Sequence, residues 1–359
     1  MYELFELLGR VQEIDAATLT VREQARLANN LPELRWSIFF PRQNSDSIRI
    51  AEMRTLDLRP VADRRPWGGR GRYIPLEQGK LVELEMAPIE AYFTYDEYLM
   101  QRLMERNAQR IDLALDALRV KIPQRAEVLA DADYRRVEVD AFWAWRTGEI
   151  VAKDPESEQT LTVNLGFDAA RYVTPAQAWT NSTAWAELLQ HAYEARNMFG
   201  AAPRGALVRQ STLTAIGESA PASGITGFKR SRAELEDRIA QELGSEFTFR
   251  VEERTVDVFT GKGNATVATK VWPGTEVAFI PPQVSVGSTF FAPVYRAQMM
   301  AQGGQNGVPG GLPRDFIDVR GVTLFYLRNE DGKSMTLEAQ LNALPIPDER
   351  RVYIVDGQI

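Results

Sequence analysis

Apolar side chains recur at spacings of three and four residues between Pro123 and Gly148, and this pattern predicts one long amphipathic helix. Pro123 suits the first helical position, and Gly148 suits the left-handed position just past the end. Asp131 stands four residues before Arg135, an order of charges that supports a helix. Such a helix would be about 37 Å long, so we expect either a brace along the domain or a large core helix. The predicted buried stripe is Ala126, Ala130, Tyr134, Val137, Ala141 and Trp145.

Strand-like alternation occurs in residues 47–59 and again in residues 80–87, and the segment between them is rich in Gly, Pro and Arg. These features predict an extended β-hairpin with a long tip. From Ile48 to Pro75 there are seven arginines and three acidic residues, so the local net charge is 7 − 3 = +4. The tip is either a loop with solvated charges or a basic finger that binds an acidic surface through guanidinium–carboxylate pairs. The candidate contact residues of such a finger are Arg54, Arg59, Arg64, Arg65, Trp67, Arg70 and Arg72.

The N-terminal region combines short helical patterns with loop signals and ends in LRWSIFFPRQ. It has too little neighbouring sequence to build a core of its own around this aromatic cluster. We therefore expect an arm that packs elsewhere, either on a neighbouring copy of the chain or on its own subunit. The candidate contact residues of the arm are Trp36, Phe39 and Phe40.

A second helix is predicted to begin at Thr94, because Glu97 three residues later completes a capping box. This helix would meet the one that begins at Pro123 at a bend. Its predicted buried side is Tyr95, Leu99, Leu103, Ile111, Leu115 and Leu118.

After Gly148 the pattern changes to short strands and helices in mixed order, which indicates an α+β fold. A C-terminal hairpin over residues 321–328 and 333–340 is predicted to pair with the strands of residues 149–165, and two later prolines predict an extended tail. The other predicted strands are residues 205–209, 247–251, 255–259, 266–271 and 276–280. The other predicted helices are residues 179–198, a turn from Ser211, and a helix from the capping box Ser231–Glu234 to about Leu243.

The composition limits the function classes. The 359 residues are 44% hydrophobic and 25% charged, which is typical of a chain that buries a large core. The net charge of −7 argues against general wrapping of nucleic acid, and the absence of cysteine excludes disulfides, thiolate zinc sites and thiol nucleophiles. No apolar run reaches the length of a membrane span, and the first residues lack a signal-peptide pattern, so we expect a soluble protein made inside the cell.

The sequence singles out no catalytic site. The only histidine, His191, lies in an amphipathic helical pattern, and we expect it to be packed or solvated. GKGNAT at residues 261–266 lacks the spacing of a phosphate loop and is expected to be a turn between strands, and GGRGR at residues 68–72 does not fit a dinucleotide fingerprint. A carboxylate pair among the 49 acidic residues could serve a hydrolase, which is the alternative from a different class. No catalytic residue, metal or cofactor is predicted.

Three stretches carry a resemblance to a known family: LTVNLGFDAARYVTPAQAWTNSTAWAELLQHAYEAR, GALVRQSTLTAI and SMTLEAQLNALPIPDERRVYIVDG. Together with the order of elements, they resemble the major capsid proteins of tailed double-stranded-DNA bacteriophages, and within these the phage lambda head-protein family. The resemblance covers nearly the whole chain in element order. It implies an α+β HK97-like capsid fold with an N-terminal arm (1–47), an extended β-hairpin loop (48–93), spine helices with the first peripheral strands (94–168), an axial domain (169–317) and a return to the peripheral domain with a C-terminal tail (318–359).

The resemblance further implies a non-enzymatic shell subunit whose arm and extended loop contact neighbouring copies. Such subunits assemble through hexamers and pentamers into an icosahedral head that encloses double-stranded DNA without sequence-specific binding. The implied partners are portal and scaffolding proteins and a decoration protein, and the implied location is the virion, after assembly in the bacterial cytoplasm. Another virion component, such as a tail or baseplate subunit, and a cargo-holding nanocompartment stay open as alternatives.

Overall fold

The computed structural model describes residues 36–55, 79–95, 97–106, 110–153, 160–175, 178–179, 183–219, 230–259, 266–294, 316–319, 322–328 and 335–357. The helices in this part of the chain are α1 (Trp36–Phe39), α2 (Glu97–Arg106), α3 (Ile111–Thr147), α4 (Ala184–Phe199), α5 (Gln210–Ser219) and α6 (Arg232–Leu243). The first strands are β1 (Arg42–Asn44), β2 (Arg49–Thr55), β3 (Gly79–Glu85), β4 (Pro88–Tyr95), β5 (Glu149–Lys153), β6 (Thr160–Asn164), β7 (Tyr172–Val173), β8 (Gly205–Val208) and β9 (Thr248–Val251). The later strands are β10 (Thr255–Phe259), β11 (Thr266–Lys270), β12 (Glu276–Ile280), β13 (Gly287–Ala292), β14 (Phe316–Val319), β15 (Val322–Arg328), β16 (Met335–Pro347) and β17 (Ile354–Asp356).

The long helix predicted from the apolar stripe is α3, which we call the spine helix. All six stripe residues are buried, and the helix ends where predicted, with Gly148 at φ 71° and its N–H bonded to the carbonyl of Ala144. The predicted start at Pro123 is wrong, because the helix begins at Ile111 and passes through Pro123. The stripe continues on both sides of this proline, since Leu118, Ile122 and Ala126 are each at most 1% exposed. Packing of this continuous stripe outweighs the one backbone hydrogen bond that proline removes.

The predicted helix start at Thr94 is also wrong. Thr94 lies in β4, which pairs antiparallel with β16, and its hydroxyl oxygen is 3.3 Å from that of Thr336. The helical segment begins only with α2 at Glu97, and the spine helix already runs from Ile111, so the two helices do not meet at Pro123. A distant strand therefore decides the structure here, because pairing with β16 satisfies the backbone hydrogen-bonding groups of residues 88–95 as strand rather than helix.

Strand β16 is central to a sheet with the order β1-β13-β16-β15-β14, and β4 pairs with the same strand. Leu337, Ala339 and Leu341 of β16 are 0% exposed and share one apolar core with the spine helix, and we call this unit the spine body. The predicted antiparallel pairing of β15 and β16 is confirmed, although the predicted turn between them lies outside the described residues. Their predicted pairing with residues 149–165 is wrong. Strands β5 and β6 pair only with each other among the described residues, in a separate two-stranded sheet.

A second sheet has the order β7-β17-β12-β8-β9 and, with helices α4, α5 and α6, forms what we call the five-stranded body. This sheet is covered on both faces. Val277 and Phe279 pack on the helices, whereas Ala278 and Ile280 face the core of the spine body, which explains the continuous apolar run of β12. The capping box at Ser231 and Glu234 is confirmed at the start of α6.

The C-terminal stretch is extended through both prolines, as predicted, but it is paired and buried rather than a tail. Strand β16 continues as far as Pro347, and β17 then inserts between β7 and β12 of the five-stranded body. Tyr353 and Val355 are at most 1% exposed, so this end of the chain is part of the core.

Candidate functional site

The root of the predicted basic hairpin is fixed in the body of the protein. Strands β2 and β3 pair antiparallel with Arg49 opposite Glu85, and the N–H of Met86 donates to the carbonyl of Ile48 at 2.9 Å. Ile50, Leu84 and Met86 are at most 8% exposed. They share an apolar cluster with the spine helix and with strands β5, β13 and β16. This packing sets the direction in which the two strands leave the body.

The predicted contact residues of the hairpin tip lie almost entirely outside the described residues. Arg54 is the exception, because its backbone lies in β2 opposite Lys80. The base of the hairpin is therefore confirmed as a β-ribbon, whereas the role of its basic tip stays a prediction. The residues outside the described part are Arg59, Arg64, Arg65, Trp67, Arg70 and Arg72.

The three aromatic residues predicted to be arm contacts are core residues of this chain. Trp36, Phe39 and Phe40 are at most 4% exposed, and the Phe39 ring centroid is 5.0 Å from that of Trp145 on the spine helix. Of the two predicted docking sites for the arm, packing on its own subunit is the one found for these residues, since almost none of their surface is left for a neighbouring copy. Strand β1 continues this contact by pairing in parallel with β13.

A buried ion-pair cluster joins the spine helix to the connection between β9 and β10. Glu138 and Glu252 are 2% and 0% exposed, and both bind the guanidinium of Arg254. Buried carboxylates are stable only when they are paired with charge and hydrogen-bonded, and the guanidinium of Arg254 directs N–H groups at both of them. Sequence reasoning missed this cluster, although Glu138 falls within the apolar stripe one residue after Val137 and could have been noticed there.

Two further carboxylates are buried on the spine helix. Burial raises the pKa of Asp140 to about 6, although Arg136, whose Nη2 is 2.9 Å from Asp140 Oδ1, opposes the shift. Burial, together with the nearby charge of Glu90, also raises the pKa of Asp133 well above its ordinary value. Both groups are buried on the packed spine helix, so they bear on stability and its pH dependence.

The single histidine is packed, as expected. His191 is 5% exposed, and its Nδ1 atom lies 2.9 Å from the Tyr353 hydroxyl and 3.0 Å from a Glu194 carboxylate oxygen. The ring stacks on Trp179 at 6.3 Å between centroids. Burial and the hydrogen bond to Glu194 raise the pKa of Tyr353. This cluster ties α4 to the C-terminal strand.

Within the described residues, no group of three or more His, Asp or Glu side chains is arranged to hold a metal ion. In the same part of the chain, no helix combines the length and the apolar character that a membrane span needs. GKGNAT at residues 261–266 was predicted to be a turn between two strands. The strands on either side of it, β10 and β11, do pair antiparallel, whereas residues 261–265 lie outside the described residues.

No protein-family model and no curated protein sequence matches this chain. Solved structures do match. A protein assigned as the capsid protein of a prophage of Escherichia coli CFT073 is similar with a TM-score of 0.52 at 12% identity, over 95% of this chain and 98% of that one. A phage-related protein of Bordetella bronchiseptica RB50 gives a TM-score of 0.43 at 13% identity over 93% and 96% of the two chains. The capsid of Myoviridae phage XM1 gives 0.45 at 9% identity over 91% and 92%.

The first of these likenesses shows the fold. The chain has the α+β HK97-like capsid fold that the sequence resemblance implied, with the spine helix, the hairpin root and the two bodies in one architecture. Nothing in these likenesses singles out the phage lambda head-protein family.

Proposed function

We propose that this chain is the major capsid subunit of a tailed-bacteriophage or prophage head, and that its copies assemble through hexamers and pentamers into an icosahedral shell around double-stranded DNA. The observation that carries the proposal is the extent of the fold likeness, which spans 95% of this chain and 98% of the prophage protein. The capsid fold thus accounts for the spine helix, the hairpin root and both bodies together. Assignment to the lambda head-protein family is part of the proposal and rests on the quoted sequence stretches.

The charge distribution supports self-assembly. Residues 48–75 carry +4, so the rest of the chain carries −7 − 4 = −11. A basic finger on an acidic body supplies two complementary patches on one molecule, which is what a heterologous, ring-forming contact needs. Rigid anchoring of the hairpin root through Ile50, Leu84 and Met86 lowers the entropy lost when the tip binds a neighbouring copy.

In this proposal the chain divides into the arm (1–47), the extended loop (48–93), the spine segment (94–168), the axial domain (169–317) and the C-terminal return (318–359). Its partners are further copies of itself, with portal, scaffolding and decoration proteins, and it encloses DNA without reading its sequence. Its location is the virion, after assembly in the bacterial cytoplasm. We assign it no catalytic role.

Negative-stain electron microscopy of the protein, expressed alone and together with the products of neighbouring genes, tests the proposal. We expect closed isometric particles or rings of five and six subunits. Tubes or baseplate-like discs would instead indicate another virion component, and closed particles filled with protein cargo would indicate a nanocompartment. A dispersed monomer in both preparations would contradict the proposal.

A further inference from the structure

An open groove of about 890 Å³ lies between β4, α2 and the first half of the spine helix. Part of its lining is apolar and comes from Phe93, Leu99, Leu103 and Val128. Val128 is 57% exposed. The groove therefore offers apolar surface to a ligand with an apolar face.

The remainder of the lining is mainly cationic. Arg102, Arg106, Lys121 and Arg125 line the groove against one acidic residue, Glu105, and all five are exposed. The Arg125 guanidinium carbon is 4.8 Å from the ring centroid of Phe93, so positive charge lies directly beside the apolar lining. The groove is thus suited to a ligand that is both acidic and apolar.

This combination distinguishes between two classes of ligand. A nucleic-acid backbone would use the cations but leave the apolar lining uncovered. An acidic amphipathic peptide would use both, as helices do when they bind in hydrophobic grooves.

The chain contains such a segment outside the described residues. Residues 1–15, MYELFELLGRVQEID, carry four acidic side chains and one arginine, a net charge of 1 − 4 = −3 that is opposite to that of the groove. The segment also has an apolar series at helical spacing, consisting of Leu4, Leu7, Leu8 and Val11.

The described part of the arm begins within reach of the groove. The Trp36 ring is 6.1 Å from that of Phe291, which is 6.5 Å from that of Tyr134 on the spine helix. Tyr134 is six residues, or about 9 Å, from Val128. The 20 residues between Asp15 and Trp36 can span up to about 66 Å. A tethered segment within reach has an effective concentration in about the millimolar range, which favours binding to its own subunit.

We propose that residues 1–15 bind in this groove of the same chain, with their apolar side chains on its apolar lining and their carboxylates against the four cations. The proposal does not depend on shell assembly.

Cross-linking tests the proposal, because the chain has no cysteine of its own. The probe variant carries Gln12→Cys and Val128→Cys and is treated with a short bis-maleimide. The control pair is Gln12→Cys with Val267→Cys, since Val267 is 52% exposed on the separate β10–β11 hairpin. We expect at least tenfold more intramolecular product from the probe pair. Equal yields would overturn the proposal. A product that forms only between two mixed single-cysteine variants would also overturn it, because the segment would then bind a second copy.

Charge reversal provides a second readout in the same probe variant. Arg102→Glu with Arg125→Glu should lower the intramolecular yield at least fivefold. Arg196→Glu with Arg204→Glu is the matched control, since both arginines are exposed in the five-stranded body and lie away from the groove. Circular dichroism establishes that each variant is folded. If Arg102→Glu with Arg125→Glu leaves the intramolecular yield unchanged, the proposal is overturned. Shell formation is measured separately by electron microscopy, so its failure can be told apart from failure of this proposal.

Discussion

The Arg254 guanidinium binds the Glu138 carboxylate of the spine helix through two contacts, Nη2 to Oε1 at 2.9 Å and Nη1 to Oε2 at 3.2 Å. The same guanidinium also donates to Glu252, with Nε 2.8 Å from Oε1. Because Glu138 and Glu252 are almost fully buried, Arg254 supplies positive charge and hydrogen bonds to two desolvated carboxylates. This pairing fixes the spine helix to the strands that follow β9.

Replacement of Arg254 by Met should therefore be strongly destabilising. The change removes the charge and the hydrogen bonds of Arg254 from two buried carboxylates, and we expect a loss of about 3–5 kcal/mol in the free energy of unfolding. Urea unfolding of the unassembled subunit, followed by circular dichroism, measures it. Arg135→Met is the control, because Arg135 pairs with Asp131 at 2.7 Å on the exposed side of the same helix and should cost less than about 1 kcal/mol. Equal losses in the two variants would contradict the prediction.

The buried Asp140 predicts a specific pH dependence. Its folded pKa of about 6 lies above the ordinary value of 3.8, so the folded state binds its proton more tightly than the unfolded state does. The stabilisation from this group is complete below about pH 4 and is lost as the pH rises to about 6. Asp140→Asn should remove this part of the slope when thermal unfolding is compared between pH 4 and pH 7. Asp116→Asn, on an exposed position of the spine helix, is the control, and identical slopes in wild type and Asp140→Asn would count against the assignment.

The core position of the arm aromatics predicts a contrast between neighbours in sequence. Phe39 is 1% exposed and Ile38 is 48% exposed. Phe39→Ala should cost about 3–5 kcal/mol of subunit stability, whereas Ile38→Ala should cost less than about 1 kcal/mol. Urea unfolding of the unassembled subunit measures both. If Phe39→Ala instead left subunit stability intact but abolished assembly, the aromatic cluster would be a contact between copies.

The basic finger predicts an effect on assembly without an effect on folding. Changing Arg64, Arg65, Arg70 and Arg72 together to Glu should block shell formation, because a finger of reversed charge repels an acidic neighbour. Changing the same four to Lys keeps the charge but removes the guanidinium forks, so we expect partial assembly. Size-exclusion chromatography and circular dichroism follow assembly and folding. Normal shells from the Glu variant would exclude the finger as a contact.

Features set by local patterns could be predicted from the sequence. The buried stripe of the spine helix, its end at Gly148 and the capping box at Ser231 depend on residues close together in the chain, and all three are confirmed. The hairpin of β2 and β3 also follows from local alternation.

Features that depend on distant partners could not be predicted. Thr94 carries a helix-start signal but lies in strand β4. Its partner strand, β16, is more than 200 residues further along the chain. The same strand was predicted to pair with residues 149–165, but it pairs instead with β4 and β13. The cluster around Arg254 was missed for a similar reason, since Glu138 and Arg254 are 116 residues apart. Local propensity is a weak determinant wherever a buried strand offers a full set of backbone partners.

Sedimentation velocity across a concentration series tests the shell-subunit assignment most directly. We predict large discrete species, either capsomers of five or six chains or closed shells, whose share grows with protein concentration. A single compact monomer that persists unchanged at the highest concentration would contradict the assignment.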